Sequence, residues 1–98
     1  MVQSYPVNFT TDDNGSLIAE FPDIPEAMTV GSDENNAIVW AQDALIVALT
    51  GYIEDRRDIP PPSKAKKGQK LVHLPPQIAM KIAIYQSMRD QRMTQASL

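Results

Sequence analysis

The chain has 98 residues, of which 43% are hydrophobic, and a formal net charge of −3. These values are typical of one small globular domain, or of one domain with part of a second, and they exclude wholesale disorder. The chain has no cysteine and one histidine, which excludes disulfides, thiolate zinc sites, iron–sulfur clusters and cysteine nucleophiles, so we expect no metal or cofactor.

Three short strands are predicted in the first third of the chain. Residues 6–10 and 17–21 alternate apolar and polar side chains, which is the period of a half-buried strand. Asn14-Gly15 lies between them and predicts a hairpin, because both residues tolerate positive φ. Prolines at positions 22 and 25 predict a rigid turn before a third strand at residues 27–30. Gly15 and Gly31 are interpreted as turn residues.

A long helix is predicted next. Ser32 is the expected N-cap, and apolar residues recur at helical spacing over residues 37–53. Polar residues interrupt this stretch, so we interpret it as a helix packed on the sheet and not as a membrane span. It ends before the prolines at 60–62, which form a stiff extended spacer. Trp40 is expected in the core or in a dimer contact.

The C-terminal third is predicted to be mostly helical. Residues 63–70 form a basic loop, residues 70–74 a fourth strand or an extended link, and Pro75-Pro76 opens a second helix. His73 is expected to be packed or hydrogen-bonded. A turn at residues 91–93 and an N-cap at Thr94 predict one more helix, which has only begun at Leu98, so we interpret the chain as truncated there.

The predicted fold class is therefore α+β: a small, mostly antiparallel sheet with one packed helix, in the order β-β-β-α-β, followed by a C-terminal helical segment. The start of the chain has no basic or apolar region typical of a signal peptide, so we expect a cytoplasmic protein.

The charge divides the chain into two parts. Residues 1–62 contain eleven Asp and Glu against two Arg, a net charge of −9, whereas residues 63–98 carry a net charge of +6. An acidic surface attracts a basic protein, and a basic segment can contact phosphates. We predict an acidic domain at 1–62, a basic linker with a short strand at 63–74, and a helical segment at 75–98. The acidic residues expected to face a basic partner are Glu20, Asp23, Glu26 and Asp33; a solvated acidic surface is the alternative.

Several motifs resemble those of HicB-type antitoxins, the antitoxin half of HicA–HicB toxin–antitoxin pairs. They are Tyr5-Pro6-Val7, the Asn14-Gly15 hairpin, FPDIPEAMTVG at 21–31, AQDALIVAL at 41–49 and IPPPS at 59–63. The resemblance implies a partial RNase H-like domain that covers a small, basic, mRNA-cleaving HicA toxin. It also implies a C-terminal DNA-binding domain that represses the protein's own operon, as a homodimer or a higher oligomer.

The family's DNA-binding domain takes two forms. Residues 84–98 resemble the start of a helix-turn-helix, with Thr94-Gln95 beginning its second helix, while residues 70–82 leave a ribbon-helix-helix open. The recognition helix of a helix-turn-helix is absent, so we expect the 98-residue chain as a whole to lack specific operator binding and to keep toxin binding. The residues expected to contact DNA are Lys81, Arg89, Arg92, Thr94 and Gln95.

Two alternative functions remain at this stage. One is a degenerate RNase H-like, metal-dependent nuclease, and the other is an operator-binding repressor without a toxin partner. Nuclease chemistry of this kind needs several carboxylates that converge on metal ions. The first strand carries none, and the spacing of Glu20, Asp23 and Asp43 does not bring them together. We therefore expect that the protein is not an enzyme.

Overall fold

The computed structural model describes the backbone of residues 4–96 and the side chains of residues 4–91. Its elements follow in the order β1 (Ser4–Thr11), β2 (Leu17–Phe21), β3 (Ile24–Gly31), α1 (Glu34–Glu54), β4 (Lys70–His73) and α2 (Pro76–Ala96). The four strands form one sheet in the order β3-β2-β1-β4, and every neighbouring pair is antiparallel. The predicted α+β class with an antiparallel sheet is confirmed.

The β1–β2 hairpin is present, and the Asp12 side chain closes its loop. The Asp12 carboxylate accepts hydrogen bonds from the backbone N–H groups of Asn14 and Ser16, both at 2.9 Å. Gly15 has φ +84°, whereas Asn14 does not adopt a positive φ. The loop therefore follows the pattern of a turn that ends in one left-handed glycine. The predicted hairpin is confirmed, and of its two turn residues only Gly15 uses the positive φ that both tolerate.

β3 begins earlier than predicted. The turn after β2 consists of Pro22 and Asp23, and β3 starts at Ile24, so that it includes Pro25. The sequence pattern placed its start at Ala27. Proline is tolerated in this strand because β3 is an edge of the sheet and Pro25 falls between the paired residues Ile24 and Met28, where the register with β2 is irregular. A register shift between β2 and β3 near Phe21 accommodates the extra residues.

The start of α1 also corrects two predictions. Asp33, and not Ser32, is the N-cap, because its carboxylate accepts the N–H of Asn36 at 2.8 Å. The Asn36 side chain in turn accepts a hydrogen bond from the N–H of Ser32 at 2.9 Å. Two reciprocal hydrogen bonds thus close the first turn of the helix. Gly31 is the last residue of β3 and not a turn residue; it lies directly against the backbone of Ala37.

α1 covers one face of the sheet. Its buried residues recur every three to four positions, and the side of the helix that they form packs mainly on β3 and β2. The buried residues of α1 are Ala37, Ala41, Leu45, Leu49 and Tyr52. Trp40 lies about 100° around the helix from Ala41 and is 51% exposed, so the core position is wrong, while the alternative of a dimer contact stays a prediction. By length and composition α1 is also long and apolar enough to cross a membrane, but here its apolar side forms the core of the sheet domain.

The segment after α1 is fixed to the core. Ile59 is buried, and the Tyr5 hydroxyl donates to the Pro60 carbonyl oxygen at 2.7 Å. Burial raises the pKa of Tyr5 to about 12, since a tyrosinate would have to be desolvated. The proline-rich run thus packs against the first strand.

α2 runs without interruption from Pro76 to Ala96. The predicted turn at residues 91–93 and the predicted N-cap at Thr94 are therefore wrong. The reason is local: residues 91–93 (Gln-Arg-Met) are good helix formers, and the following residues contain no glycine or proline that would end the helix. Ala79 and Ile82 attach the first half of α2 to the core.

Candidate protein-binding surfaces

The four carboxylates expected to face a basic partner do not form one cluster. Glu20 is exposed on β2, and its register neighbours are Asn8 on β1 and Met28 on β3. Asp23 lies in the turn between β2 and β3, Glu26 lies on β3, and Asp33 is the N-cap of α1.

Asp23 fixes the segment that follows the proline run. Its Oδ2 accepts hydrogen bonds from the backbone N–H of Ser63 at 2.8 Å and from the Ser63 hydroxyl at 3.0 Å. The two residues are 40 positions apart. Asp23 thereby ties the β2–β3 turn to the start of the basic linker, which is a structural task.

Glu26 belongs to a three-residue contact between β3 and the end of α1. It accepts the Tyr52 hydroxyl at 2.7 Å and the Arg57 guanidinium at 3.1 Å. The Arg57 guanidinium also lies 4.1 Å from the centre of the Tyr52 ring, within range of a cation–π contact. The hydrogen bond from Tyr52, followed by those from the backbone and Arg57, lowers the pKa of Glu26.

Only Glu20 of the predicted set makes no ion pair or side-chain hydrogen bond within the described residues. Asp33 is engaged by the N–H of Asn36. Three of the four carboxylates therefore have a role in the fold. Their predicted role toward a basic partner stays a prediction.

The side of the sheet opposite α1 has no covering element in the described part of the chain, and we call it the sheet face. It mixes polar and apolar side chains. Among the latter, Met28, Val30 and Leu71 are about half exposed. A shallow groove of about 240 Å³ lies at one end of this face. It is lined by Asn8, Glu20, Phe21, Pro22, Pro25 and Met28.

α1 presents a second exposed apolar surface, which we call the α1 stripe: Val39, Trp40, Asp43 and Val47. The three apolar members are 66%, 51% and 65% exposed. Positions 39, 43 and 47 are four residues apart, and position 40 lies beside them, so the four share one side of the helix. The apolar pattern alone does not mark Val39 and Val47 as surface residues, but their offset from the buried residues of α1 is the signal that identifies them.

α2 is fastened to the end of α1 by two of its residues. The Tyr85 hydroxyl donates to the Arg57 carbonyl oxygen at 2.8 Å. The Arg89 guanidinium donates to the Arg56 carbonyl oxygen at 2.6 Å and also binds the Asp58 carboxylate. We call these contacts the α2 clamp. No sequence pattern predicts the α2 clamp, because the acceptors are mostly backbone oxygens about 30 residues away.

The residues expected to contact DNA have different surroundings. Lys81 is exposed on α2, whereas Arg89 is engaged in the α2 clamp. The side chains of Arg92, Thr94 and Gln95 lie outside the described residues. His73 is exposed on β4, and its carbonyl oxygen accepts the side-chain amide of Gln42 at 2.7 Å.

The side chains of residues 4–91 include no group of three or more His, Asp or Glu placed to hold a metal ion. Glu20 and Asp43, two of the carboxylates considered for nuclease chemistry, lie on β2 and α1 respectively. The described arrangement therefore offers surfaces for binding and no assembled carboxylate centre.

The comparisons with known proteins agree on one family. A family model described as "HicB_like antitoxin of bacterial toxin-antitoxin system" matches residues 4–83. The chain is 45% identical over 94 residues to Antitoxin HicB 2 of Photorhabdus laumondii subsp. laumondii, and 38% identical to Antitoxin HicB 1 of the same strain. It is 34% identical to Antitoxin HicB of Escherichia coli K12.

Each of these matches covers 96% of this chain but a smaller part of the relative. The chain spans 66% and 59% of the two Photorhabdus proteins and 68% of the E. coli protein. The family model covers the whole sheet domain and the first eight residues of α2.

Proposed function

The chain belongs to the HicB-like antitoxin family, and we propose that it neutralises a small, basic, mRNA-cleaving HicA-type toxin by binding it and covering its active site. The family match over residues 4–83 carries this proposal. These residues contain the whole sheet domain and the first turns of α2, and it is to this domain that we assign the antitoxin role.

The charge distribution supports a basic partner. Residues 1–62 carry a net charge of −9, and this segment holds β1, β2, β3 and α1. Opposite charge on two proteins speeds their encounter and disfavours wrong partners. Association with the toxin should therefore be fast at low salt and slower as salt screens the charges.

The test uses the small basic protein encoded next to the gene for this chain. Its induction alone in bacteria should arrest growth, and co-expression of the chain should restore it. In a purified system, RNA cleavage by the toxin should stop when the chain reaches a stoichiometric amount. Undiminished cleavage at saturating chain concentration would reject the proposal.

The proposed antitoxin blocks the toxin by binding it and does not cleave RNA itself, which distinguishes it from a nuclease. The chain alone should leave RNA and RNA–DNA hybrids intact with magnesium or manganese present. Cleavage that needs the metal and is lost in Asp43→Asn would instead support the degenerate RNase H-like nuclease.

We further propose that a form of the protein that carries a recognition helix represses its own operon as a homodimer or higher oligomer in the cytoplasm, and that the basic segment at residues 63–98 contributes phosphate contacts without reading the DNA sequence. The support is the net charge of +6 over residues 63–98 and the exposed position of Lys81. Phosphate contacts position a protein on DNA without reading its sequence. Fluorescence anisotropy should therefore show weak binding that falls steeply with salt.

A comparison of promoter DNA with scrambled DNA tests whether this DNA binding depends on sequence. The chain should bind the DNA upstream of the gene and a scrambled duplex with similar affinity at two salt concentrations. A preference for the promoter of about a hundredfold or more, in the range of specific DNA binders, would show that base-reading residues lie within these 98 residues. It would favour the ribbon-helix-helix alternative.

A further inference from the structure

We propose that the basic toxin docks on the α1 stripe, with Trp40 as the central contact. This inference rests on the proposed antitoxin function and specifies the surface through which it acts. The stripe is formed by Val39, Trp40, Asp43 and Val47, on the side of α1 that faces away from the sheet.

The stripe is rigid and apolar. The opposite side of α1 is fixed in the core by Leu45 and Leu49, both 0% exposed, so the outward side chains keep a defined spacing. Tryptophan is enriched among the residues that dominate binding energy, because a large ring buries much area with little loss of rotamer freedom. Trp40 is the chain's one tryptophan and half of it lies open to solvent.

The charge around the stripe selects a basic partner. α1 contains three carboxylates, Glu34, Asp43 and Glu54, and no lysine or arginine. Glu34 is paired with Lys70, but Asp43, in the middle of the stripe, makes no ion pair or side-chain hydrogen bond within the described residues. A partner with an apolar depression beside lysine or arginine complements this arrangement.

The other exposed apolar surfaces fit a basic partner less well. On α2, the exposed residues Met80, Ile84 and Met88 lie four apart, but the cation of Lys81 stands beside them. The sheet face has exposed Met28 and Val30, with the carboxylate of Glu20 next to Met28, yet it lacks an aromatic anchor. A lipid surface is disfavoured at the α1 stripe because Asp43 would enter it uncompensated.

The experiment measures binding of the full chain to the basic protein encoded next to its gene, with that protein's nuclease activity removed. We expect Trp40→Ala to weaken the affinity at least about thirtyfold, as a binding hot spot does. Asp43→Lys should slow association about tenfold at low salt, with a smaller effect at high salt. Val47→Lys tests the same stripe while Trp40 and Asp43 stay unchanged.

The control lies on the sheet face: Met28→Lys changes a side chain that is 60% exposed and should alter affinity by no more than about twofold. Glu20→Lys is not a control, because Glu20 is itself predicted to face a basic partner; it tests the sheet face as the rival docking surface. Circular dichroism and thermal melts confirm that each variant is folded. In addition, 5-fluorotryptophan incorporated into this chain alone gives one fluorine resonance, which should shift when the toxin covers Trp40.

The outcomes separate the two proposals. No binding by the wild-type chain overturns the proposed antitoxin function, and the docking surface with it. Tight binding that survives Trp40→Ala, Asp43→Lys and Val47→Lys overturns the α1 stripe alone, and loss of binding in Glu20→Lys or Met28→Lys would move the interface to the sheet face. A fluorine shift with lipid vesicles, and none with the toxin, would also overturn the α1 stripe as the toxin's docking surface and would indicate that the stripe binds a membrane instead.

Discussion

Gly31 and Ala37 lie so close together that a Cβ added to Gly31 would be 2.5 Å from the Cα and from the backbone nitrogen of Ala37. The contact joins the end of β3 to the first turn of α1. Both neighbours are backbone atoms, which cannot move aside as a flexible side chain can. This approach sets how closely the helix packs on the sheet.

Gly31→Ala should therefore lower the free energy of unfolding by about 1–3 kcal/mol, the usual cost of overpacking. Urea denaturation followed by circular dichroism measures it. Gly51→Ala is the matched control: it lies within α1, and its added Cβ would meet nothing within 4 Å. That change should stabilise by roughly 0.5–1 kcal/mol, since alanine is the better helix former. Equal effects at both positions would contradict the steric explanation.

The Glu26–Tyr52 contact predicts a pH dependence of stability. The hydrogen bond from Tyr52 lowers the pKa of Glu26 from its ordinary value of 4.5. A carboxyl whose folded-state pKa is depressed stabilises the fold above its unfolded-state pKa, and that contribution is lost as pH falls through the folded-state pKa. Tyr52→Phe should reduce the melting temperature at neutral pH, and the difference from wild type should shrink below about pH 4.

The control for this prediction is Tyr5, whose hydroxyl bonds to a backbone carbonyl and not to a carboxylate. Tyr5→Phe also removes a buried hydroxyl, but its acceptor is the Pro60 carbonyl, which does not titrate. Its destabilisation should stay constant across acidic pH. A constant difference for Tyr52→Phe as well would show that the carboxylate of Glu26 is not the relevant acceptor.

Arg56 adopts φ +57° just after α1, at the position where helices commonly end in glycine. The N–H groups of Arg56 and Arg57 bond back to the carbonyls of Ile53 and Tyr52, so the left-handed residue is part of a closed helix end. Arg56→Gly should raise the free energy of unfolding by up to about 1 kcal/mol, because glycine adopts this conformation without a Cβ penalty. Arg56→Ala should bring no such gain in the same melt, and a gain in both would point to the lost charge instead.

Local patterns predicted the elements that depend on local periodicity. The alternation at residues 17–21 gave β2 with its observed bounds, and the spacing of apolar residues located α1. The errors came where a neighbour in space decides the outcome. Pro25 is accommodated only because β3 lies at the edge of the sheet, and edge position depends on strand order, which the residues of β3 do not encode.

The candidate site shows the same limit. The net charge of residues 1–62 predicted an acidic domain, but not which carboxylates are free. Asp23 is engaged by Ser63, 40 residues away, and Glu26 by Tyr52, 26 residues away. Pairings over such separations are created by tertiary packing. Glu20 and Asp43 remain unengaged within the described residues because their neighbours in space carry no cation that reaches them.

Arg89 connects α2 to the end of α1, and its replacement should loosen one half of that helix. Its guanidinium donates to the Arg56 carbonyl oxygen and to the Tyr85 hydroxyl and pairs with Asp58. Since the Asp58 side chain is 87% exposed, the ion pair itself contributes little, and most of the effect should come from the bond to the Arg56 carbonyl oxygen. We expect Arg89→Met to speed amide hydrogen exchange in the second half of α2 about fivefold, with the sheet unchanged.

Lys81→Met is the control, because Lys81 is exposed on the same helix and its change removes the same charge without entering the α2 clamp. It should leave exchange in α2 unaltered and weaken DNA binding by about one phosphate contact, seen as a shallower salt dependence. If the α2 clamp is the main role of Arg89, Arg89→Met should speed exchange in α2 and leave DNA binding unaltered. Reduced DNA binding in Arg89→Met with unchanged exchange would instead assign Arg89 to the phosphates, as its charge alone had suggested.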